Sequence, residues 1–466
     1  MAGTSILLQE PKVLAPLNVP FYPVSLGNRA YQATVSRSTD TVTLGLALER
    51  NQGWISTFRT PILRADPTPD TLRYVERLVK FLLWQVGGWK LSISAPSSIQ
   101  QSIQRLYRLG GRQTFDAQLM QDAYGRPFEM QGVAEDQLPE SKESTSSLGG
   151  HLDGCRIGFD LGASDYKLSA VRDGEAVFTT EIPWDPKTQP DPDWHFNRVQ
   201  EGLKLAASYL PRVDAIGGSS AGIILDNEVR VASLFRSVPA ALFQQKGRTL
   251  FSRIQKAWNV PVEVANDGDV TALAGGMSLG VNAILGIAMG SSLAAGWRDE
   301  QGRILGWLNE LAFVPVDYHP EGPLDEWSQD RGCGVQFFSQ QAVVRLAGVA
   351  GLALPPGHPA EQLKYVQERH QAGDERAAKI FESIGVYYGY AVAQFADHYP
   401  GMKHVLTLGR VTSGVGGDLI MQGAREVLRV EFPELAPRIT FHSPDEKNKR
   451  HGQAVAAASL PSISQF

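Results

Sequence analysis

The sequence predicts an α/β protein of two or three lobes, built on a mostly parallel sheet with helices on both faces. Three observations carry that expectation. At 466 residues the chain is too long for one ordinary core. From Cys155 onward, apolar strand-like runs alternate with stretches of helical spacing, the order expected when crossovers pass over the faces of a sheet. Two glycine-bearing turns, in IGFDLGASDYKLSAV (Ile157 to Val171) and ILGIAMGSSLAAGW (Ile284 to Trp297), bracket an Asn266-Asp267 pair that ends the apolar run VPVEV.

The first third reads as a small mixed α/β unit. Residues 23–48 alternate as one or two hairpins. Leu72, Val75, Val79 and Leu82 recur at helical spacing in Asp70 to Val86, and Gly87-Gly88 stops that helix. A short strand from Trp89 to Ser94 and a helix near Ser98 to Tyr107 follow. LGNRAYQATV (Leu26 to Val35) echoes LGASDYKLSA (Leu161 to Ala170), with Ser25 where Asp160 would stand; a degenerate duplicate hairpin and a chance match both fit.

Ala134 to Gly150 is polar and serine-rich, so it reads as a linker or long surface loop. Beyond it, helices at Phe196 to Tyr209 and Ala240 to Trp258 separate VDAIGGSSAGII from VPVEVAND. A loop-rich stretch to about Gln329 and long helices from Phe337 complete the chain. The expected divisions are an N-terminal α/β extension at 1–133, a linker at 134–150, a smaller lobe at 151–265 completed by a C-terminal helix near 448–466, and a larger lobe at 266–447.

Composition narrows the function classes. Apolar residues are 43% and charged residues 20%, as in folded globular proteins, and a net charge of −5 argues against a nonspecific nucleic-acid or anionic-membrane binder. The first 150 residues are nearly balanced, with 15 basic against 13 acidic side chains. Cys155 and Cys333 are the only cysteines, which excludes a disulfide framework and fits a reducing cytoplasm. No run approaches the ~20 apolar residues of a membrane span, and no basic-then-apolar leader opens the chain, so the expectation is a protein neither secreted nor membrane-bound.

The bracketed aspartate is the chemically informative residue. Backbone N–H groups of tight turns cradle phosphate oxygens, and a carboxylate at the carboxyl end of a strand takes the proton of an attacking hydroxyl. Each motif alone also fits a plain turn in which Asp160 or Asn266 bonds its own backbone. No G-x-x-x-x-G-K-[ST] pattern occurs, against a P-loop enzyme.

From about Cys155 to its end the chain resembles the ROK (repressor, open reading frame, kinase) family of sugar kinases and their noncatalytic relatives. The resemblance rests on FDLGAS, VANDGDVTALAGG, IAMGSSLAAGWRDEQGRILGWLNELAF, RGCGVQFFS and the stretch from GDERAAKIF to LTLGRVTSG. It implies a two-lobed actin-like (ribonuclease H-like) sugar-kinase fold with an additional N-terminal α/β region, ATP and Mg²⁺ as cofactors, and a small-molecule sugar as partner. It further implies Asp267 as general base, Asn266 and Glu310 on the sugar, and Asp160 and Gly162 at the first phosphate turn, with Asp160 holding Mg²⁺ through water. Gly290, Ser291 and Ser292 would form the second turn, where the family usually has Gly-Thr-Gly, and Gly409 with Arg410 would approach the adenine or ribose.

On the sugar side the chain departs from the family. A sugar-gripping His and Glu are replaced by Phe313 and Val335. The family's zinc ligands are missing around Cys333, so no zinc site is expected, and the loop from Val314 to Cys333 is expected to be held by packing of Trp327 and Phe337. Ser219 and Ser220 are candidates for the lost sugar contacts. Arg236 could meet an acidic sugar, although a solvated surface arginine is the preferred reading; Asp269 is read as a helix cap in preference to a second site carboxylate.

Three functions remain in view: a sugar kinase, a noncatalytic sugar sensor, and an ATP-driven actin- or chaperone-like switch. A DNA-reading winged helix fits poorly with the balanced charge and with hairpins ahead of the first helix. For the first 150 residues the readings are a cap on the cleft, a contact forming a homodimer, or a brace for the smaller lobe.

Overall fold

The computed structural model describes residues 5–17, 19–64, 69–143, 148–162, 165–443 and 452–463. The N-terminal unit runs α1 (Val24–Val35), β1 (Thr41–Glu49), β2 (Ile55–Leu63), α2 (Pro69–Gln85), β3 (Lys90–Ser94), α3 (Ser97–Tyr107), α4 (Thr114–Tyr124) and β4 (Glu129–Gly132). Its four strands form one sheet in the order β2-β1-β3-β4. Residues 24–35 are therefore a helix, not the expected hairpin, and the echo at LGNRAYQATV has no structural counterpart. Packing overrides the strand-like pattern there: Gly27 lies against the Leu7 carbonyl and the Tyr318 ring, and Tyr31 stacks on Tyr74 at 4.4 Å.

The next block comprises β5 (Cys155–Leu161), β6 (Asp165–Arg172), β7 (Glu175–Pro183), α5 (Pro192–Ala207), β8 (Ala215–Ser220), β9 (Ile223–Leu225), β10 (Glu228–Val231), α6 (Ala240–Leu242), α7 (Leu250–Trp258) and β11 (Val262–Asn266). A π-helical turn at Phe243–Gly247 interrupts what the sequence reads as one helix from Ala240 to Trp258. The sheet order is β11-β8-β5-β6-β7, with β11, β8 and β5 parallel and the β5-β6-β7 meander antiparallel.

After α8 (Asp267–Leu279) come β12 (Ile284–Met289), β13 (Leu293–Arg298), α9 (Val335–Phe338), α10 (Gln340–Val349), α11 (Pro359–Gln371), α12 (Glu375–His398), β14 (His404–Leu408), α13 (Val415–Glu431), β15 (Thr440–His442) and α14 (Gly452–Ala458). Here the sheet order is β13-β12-β14-β15, again mixed, because hairpin β12-β13 is antiparallel while β12-β14-β15 is parallel. The first lobe sheet is thus evenly divided between parallel and antiparallel pairings, while the second is mostly parallel, with one antiparallel hairpin at its edge.

Two glycines explain how the chain's end returns to the first lobe sheet. A Cβ at Gly158 or Gly217 would collide with the carbonyls of Ala454 and Ala457, so these bare positions on β5 and β8 let the backbone of α14 lie directly on the sheet. The expected C-terminal helix is there, although 444–451 and 464–466 fall outside the described residues.

The N-terminal unit has no core of its own. Its apolar side chains, from Leu7 to Tyr124, belong to the same cluster as those of the second lobe sheet and of α10, α12 and α13. The stretch expected to be a linker is pinned where it is described. Leu138 is buried against Gly45, Lys142 bridges to Ile55, Glu143 pairs with Arg50, and Leu148 bridges to Ile304.

Candidate active site

Asp267 stands at the junction of the lobes because one strand and one helix meet there. Strand β11 ends at Asn266, whose side-chain oxygen accepts the Gly268 N–H at 2.7 Å and caps α8. Asp267 is then the first helical residue. Gly268 and Gly296 touch backbone to backbone, since a Cβ on either would strike the other's strand or helix. That contact seats the start of α8 on β13, three to four residues after Ser292, or roughly 10–13 Å along a strand.

Four carboxyl groups gather here. Asp160 ends β5 beside Ser219 of β8, whose hydroxyl donates to it at 2.7 Å. Asp269 lies one turn inside α8 and accepts from Asn309 Nδ2 at 3.0 Å. Burial pushes Asp267 up to about 7, helped by the charge of Asp160, and pushes Asp269 to about 7. Glu310 rises to about 8 through burial and the charges of Asp267 and Asp269. Carboxyl groups held near neutrality in one place are able to take up and release protons at neutral pH.

A cavity of about 450 Å³ opens beside this cluster, with Asn266, Asp269 and Glu310 on its wall. Asp267 does not line the cavity itself. It is partly exposed, next in the chain to the lining residue Asn266 and near enough to Asp160 to feel its charge.

Glu310 is aimed by the N-terminal unit. Helix α2 ends with carbonyls that have no partner within the helix, and Trp84, Gln85 and Val86 accept the N–H groups of Glu310, Asn309 and Leu308 at 2.9, 2.8 and 3.2 Å. Asn309 adopts a left-handed backbone (φ 51°) and is locked by Tyr399, whose hydroxyl donates to its side-chain oxygen at 2.9 Å. The sequence gives no warning of Asn309, since asparagine in a loop is commonplace.

The remaining sequence candidates divide. At the turn between β5 and β6, expected to be a phosphate turn, Gly162 donates its N–H to the Asp165 carbonyl and would be crowded by any side chain, while Ala163 and Ser164 lie outside the described residues. Lys167, missed by the sequence reading, sits 3.6 Å from Asp160 and 3.1 Å from Asp165. At the second turn Gly290 donates to Ser292, Ser291 and Ser292 are exposed, and the amide of Gln340 ties the turn to the start of α10. Gly409 (φ 107°) touches Met289, so the strand end beside that turn needs glycine; Arg410 next to it is exposed.

Ser219 and Ser220 are wholly buried, and the Ser219 hydroxyl is committed to Asp160, so neither lines the cavity. Arg236 is exposed on the surface. Asp269 is not the helix cap, a role Asn266 fills, but a wall of the cavity.

The loop expected to rely on Trp327 is held otherwise. Trp327 is 66% exposed, although Phe337 is buried. Asp330 is gripped by Arg77 at 2.9 Å and Lys80 at 3.4 Å, and Lys80 also binds Asp116 at 2.8 Å; all four are buried. Glu76 pairs with Arg77 at 2.6 Å. Burial alone would lower the Lys80 ammonium, but Asp116 and Asp330 hold it above its usual range, and Arg77 with Lys80 keeps Asp330 below the usual carboxylate range against its burial. Beside this network the Cys333 thiol is pushed up to about 12 by burial and stays neutral. Phe313 packs on Trp84 at 4.3 Å and Phe115 at 5.4 Å, so it docks the N-terminal unit. Among the described residues no group of three or more His, Cys, Asp or Glu side chains is arranged to hold a metal ion, and no helix is long and apolar enough to cross a membrane.

The raised carboxyl groups make stability pH-dependent. A folded-state value above the ordinary one favours the protonated form, so the contribution of Glu310 is complete below its ordinary 4.5 and is lost as pH rises through about 8. Wild-type protein is expected to lose melting temperature from about pH 5 to about pH 9, and Glu310→Gln to lose less, gaining on the order of 1–3 kcal/mol at the alkaline end. Parallel curves for the two proteins would show that Glu310 ionises freely.

By sequence, no protein-family model and no curated protein matches the chain. By structure, the ROK hexokinase of Thermus thermophilus superposes with a TM-score of 0.54 at 17% identity, over 67% of this chain and 99% of that one. A ROK-family transcriptional regulator, homologous to the E. coli Mlc protein, superposes at 0.51 and 20%, over 80% and 88%. With its two mixed lobe sheets meeting at β11 and α8, the chain has the two-lobed, actin-like fold of the ROK sugar kinases and regulators, and about a third of it lies outside the superposition with the hexokinase.

Proposed function

We propose that the chain transfers the terminal phosphoryl group of ATP to a hydroxyl of a sugar or sugar derivative, with Asp267 as general base. The observation that carries this reading is the position of Asp267, flanked by Asp160 on the phosphate side and by Glu310 and Asp269 on the cavity side. A carboxyl group near 7 is ionised often enough at neutral pH to accept a proton, and basic enough to do so usefully. Asn266 keeps spare donor and acceptor capacity for a sugar hydroxyl after capping α8 and donating to the Gly222 carbonyl at 2.6 Å.

Lys167 and the exposed Ser291 and Ser292 would receive the phosphates, the N–H groups of Gly162 and Gly290 being spent on their own turns, and Gly409 with Arg410 would lie toward the nucleoside. Asp160, through water, would hold a Mg²⁺ ion, which when bound would supply positive charge at the phosphates. Asp160 fits an outer, water-mediated contact to it, because one oxygen holds Ser219 while the other faces Lys167 only at 3.6 Å. Approach of the lobes would exclude water from the transfer.

A second reading is a noncatalytic sugar-binding regulator. Phe313 and Val335 favour it, as does the regulator superposition that extends over 80% of the chain. The N-terminal unit supports the kinase reading in turn, since its elements are built into the larger lobe and the active-site loop.

ADP release from Mg-ATP separates the two, measured with D-glucose, D-mannose, N-acetyl-D-mannosamine, D-glucosamine and D-gluconate. At least one sugar is expected to raise release well above the sugar-free rate. Saturable sugar binding with no release above background would assign the regulator instead.

A further inference from the structure

The smaller lobe is joined to the rest of the molecule at a second place, away from the junction of β11 and α8. That place is the hairpin β9-β10. Alternation along β9 divides its side chains between two cores: Ile223 is buried in the cluster that the N-terminal unit shares with the larger lobe, and Leu225 packs against it, while Ile224 joins Val229 in the core of the smaller lobe. At the hairpin's turn, Asp226 and Asn227 both hold left-handed backbones (φ 55° and 56°), as a tight two-residue connection requires.

The N-terminal unit grips this hairpin at its turn and at its flank. From the loop between β1 and β2, Asn51 Nδ2 and Gln52 Nε2 donate to the two oxygens of Asp226 at 2.8 and 2.6 Å. At the C-terminal end of α4, the guanidinium groups of Arg230 and Arg248 lie against Gly125, where a Cβ would come within 3.2 and 3.3 Å of them. Both arginines pair with Glu228, at 3.0 and 2.8 Å, and cations at a helix C-terminus meet the partial negative charge of its last carbonyls.

The hairpin in turn holds the strand that ends at the Asn-Asp pair. Asn227 brackets β11: its Nδ2 donates to the Val262 carbonyl at 2.7 Å, and its side-chain oxygen accepts the Val264 N–H at 2.7 Å. Just ahead of β9, the Gly222 carbonyl accepts Asn266 Nδ2 at 2.6 Å. Asp267 follows directly in the chain. The same N-terminal unit fixes the loop of Glu310 through the carbonyls that end α2. One unit therefore reaches both of these carboxyl groups, each through a single intermediate element.

We propose that the N-terminal unit is a clasp between the lobes: through Asp226 and Asn227 it sets where the end of β11, and with it Asp267, stands relative to Glu310. Asp226 and Asn227 are positioning residues, acting through β11 and touching no reacting atom. The inference rests on the kinase reading only for the role of Asp267; the clasp itself is a matter of lobe geometry.

The test measures lobe geometry and catalysis separately. Spin labels at Leu205→Cys on α5 and Val349→Cys on α10, both exposed, report the distance between the lobes by pulsed electron paramagnetic resonance, while Cys155 and Cys333 are buried and stay unlabelled. A narrow distribution is expected with the clasp intact, and a broader one in Asp226→Ala and in Asn51→Ala with Gln52→Ala. Combining all three is expected to broaden it no further than Asp226→Ala alone, because the substitutions remove two sides of one bridge. In unlabelled protein, Asp226→Ala is expected to lower kcat about tenfold, with KM for the best sugar within a few-fold of wild type and the melting temperature unchanged. An unchanged distance distribution in every variant overturns the clasp. A broadened distribution with unchanged kcat overturns the positioning of Asp267. Broadening in a protein that releases no ADP with any sugar keeps the clasp and rejects the kinase reading instead.

Discussion

Asp267→Asn is expected to lower kcat with the best sugar acceptor by about 10²- to 10⁴-fold while leaving sugar affinity within a few-fold of wild type. The amide keeps the size and position of the carboxyl group but has no basicity to offer the attacking hydroxyl. The same substitution removes a carboxylate that burial and Asp160 disfavour, so the folded protein is expected to be as stable as wild type near pH 4 and more stable at pH 7 and above. Loss of activity without loss of stability distinguishes a base from a structural residue. A variant that unfolds at lower urea concentration than wild type would show that Asp267 holds the start of α8 instead.

Lys80→Ala is expected to have the largest effect on stability, about 3–5 kcal/mol, read from urea denaturation. Its ammonium is fully buried between Asp116 and Asp330, and truncation leaves both carboxylates short of a partner inside the protein. Because Asp330 belongs to the loop that runs from Val314 to Cys333, the loss would be felt at both ends: α2 and α4 on one side, the loop on the other. Pairing Lys80→Met with Asp116→Leu removes one charge of each sign and is expected to recover more than half of the deficit, since Arg77 still holds Asp330 at 2.9 Å. A cost below about 1 kcal/mol for Lys80→Ala would mean that water reaches the network and that the loop is held by apolar packing alone.

The reach of the sequence reading follows physical lines. Asn266 and Asp267 were legible because an apolar strand followed by an Asn-Asp pair is a local signal, and a strand's carboxyl end is where a cleft forms. Helix α2 was legible through its apolar spacing, but its partners were not. Lys80 meets Asp116 and Asp330, 36 and 250 residues away, and nothing local announces such a meeting. Helix α1 was misread since Val24, Gly27, Thr34 and Val35 are poor helix formers, and only contact with Leu7, Tyr74 and Tyr318 makes that segment a helix. Trp327 was expected inside on the strength of its size, yet its loop is tethered by charge and the ring faces solvent. Ser219 was offered to the sugar as a small polar residue at a strand end; parallel pairing of β8 with β5 turns it to Asp160 instead.

The N-terminal region is where sequence and structure differ most. Of the three readings open from sequence, the contacts bear on two. The Asn51 and Gln52 contacts with Asp226 reach the hairpin across the cavity, and the α2 carbonyls that accept the amides of Leu308, Asn309 and Glu310 fix the loop carrying a site carboxylate. The α2 contact therefore braces the larger lobe, not the smaller lobe that the sequence reading named. Its shared core with the larger lobe makes it part of that lobe's stability rather than an appendage.

The most direct measurement of the central claim is the pH dependence of kcat/KM for sugar-dependent ADP release, in wild type and Asp267→Asn side by side. The account predicts that wild-type kcat/KM rises with pH through an apparent value near 7, as Asp267 loses its proton, and that the variant's residual activity lacks this rise. A flat wild-type profile across neutrality, or a variant that keeps both the rate and the rise, would contradict it.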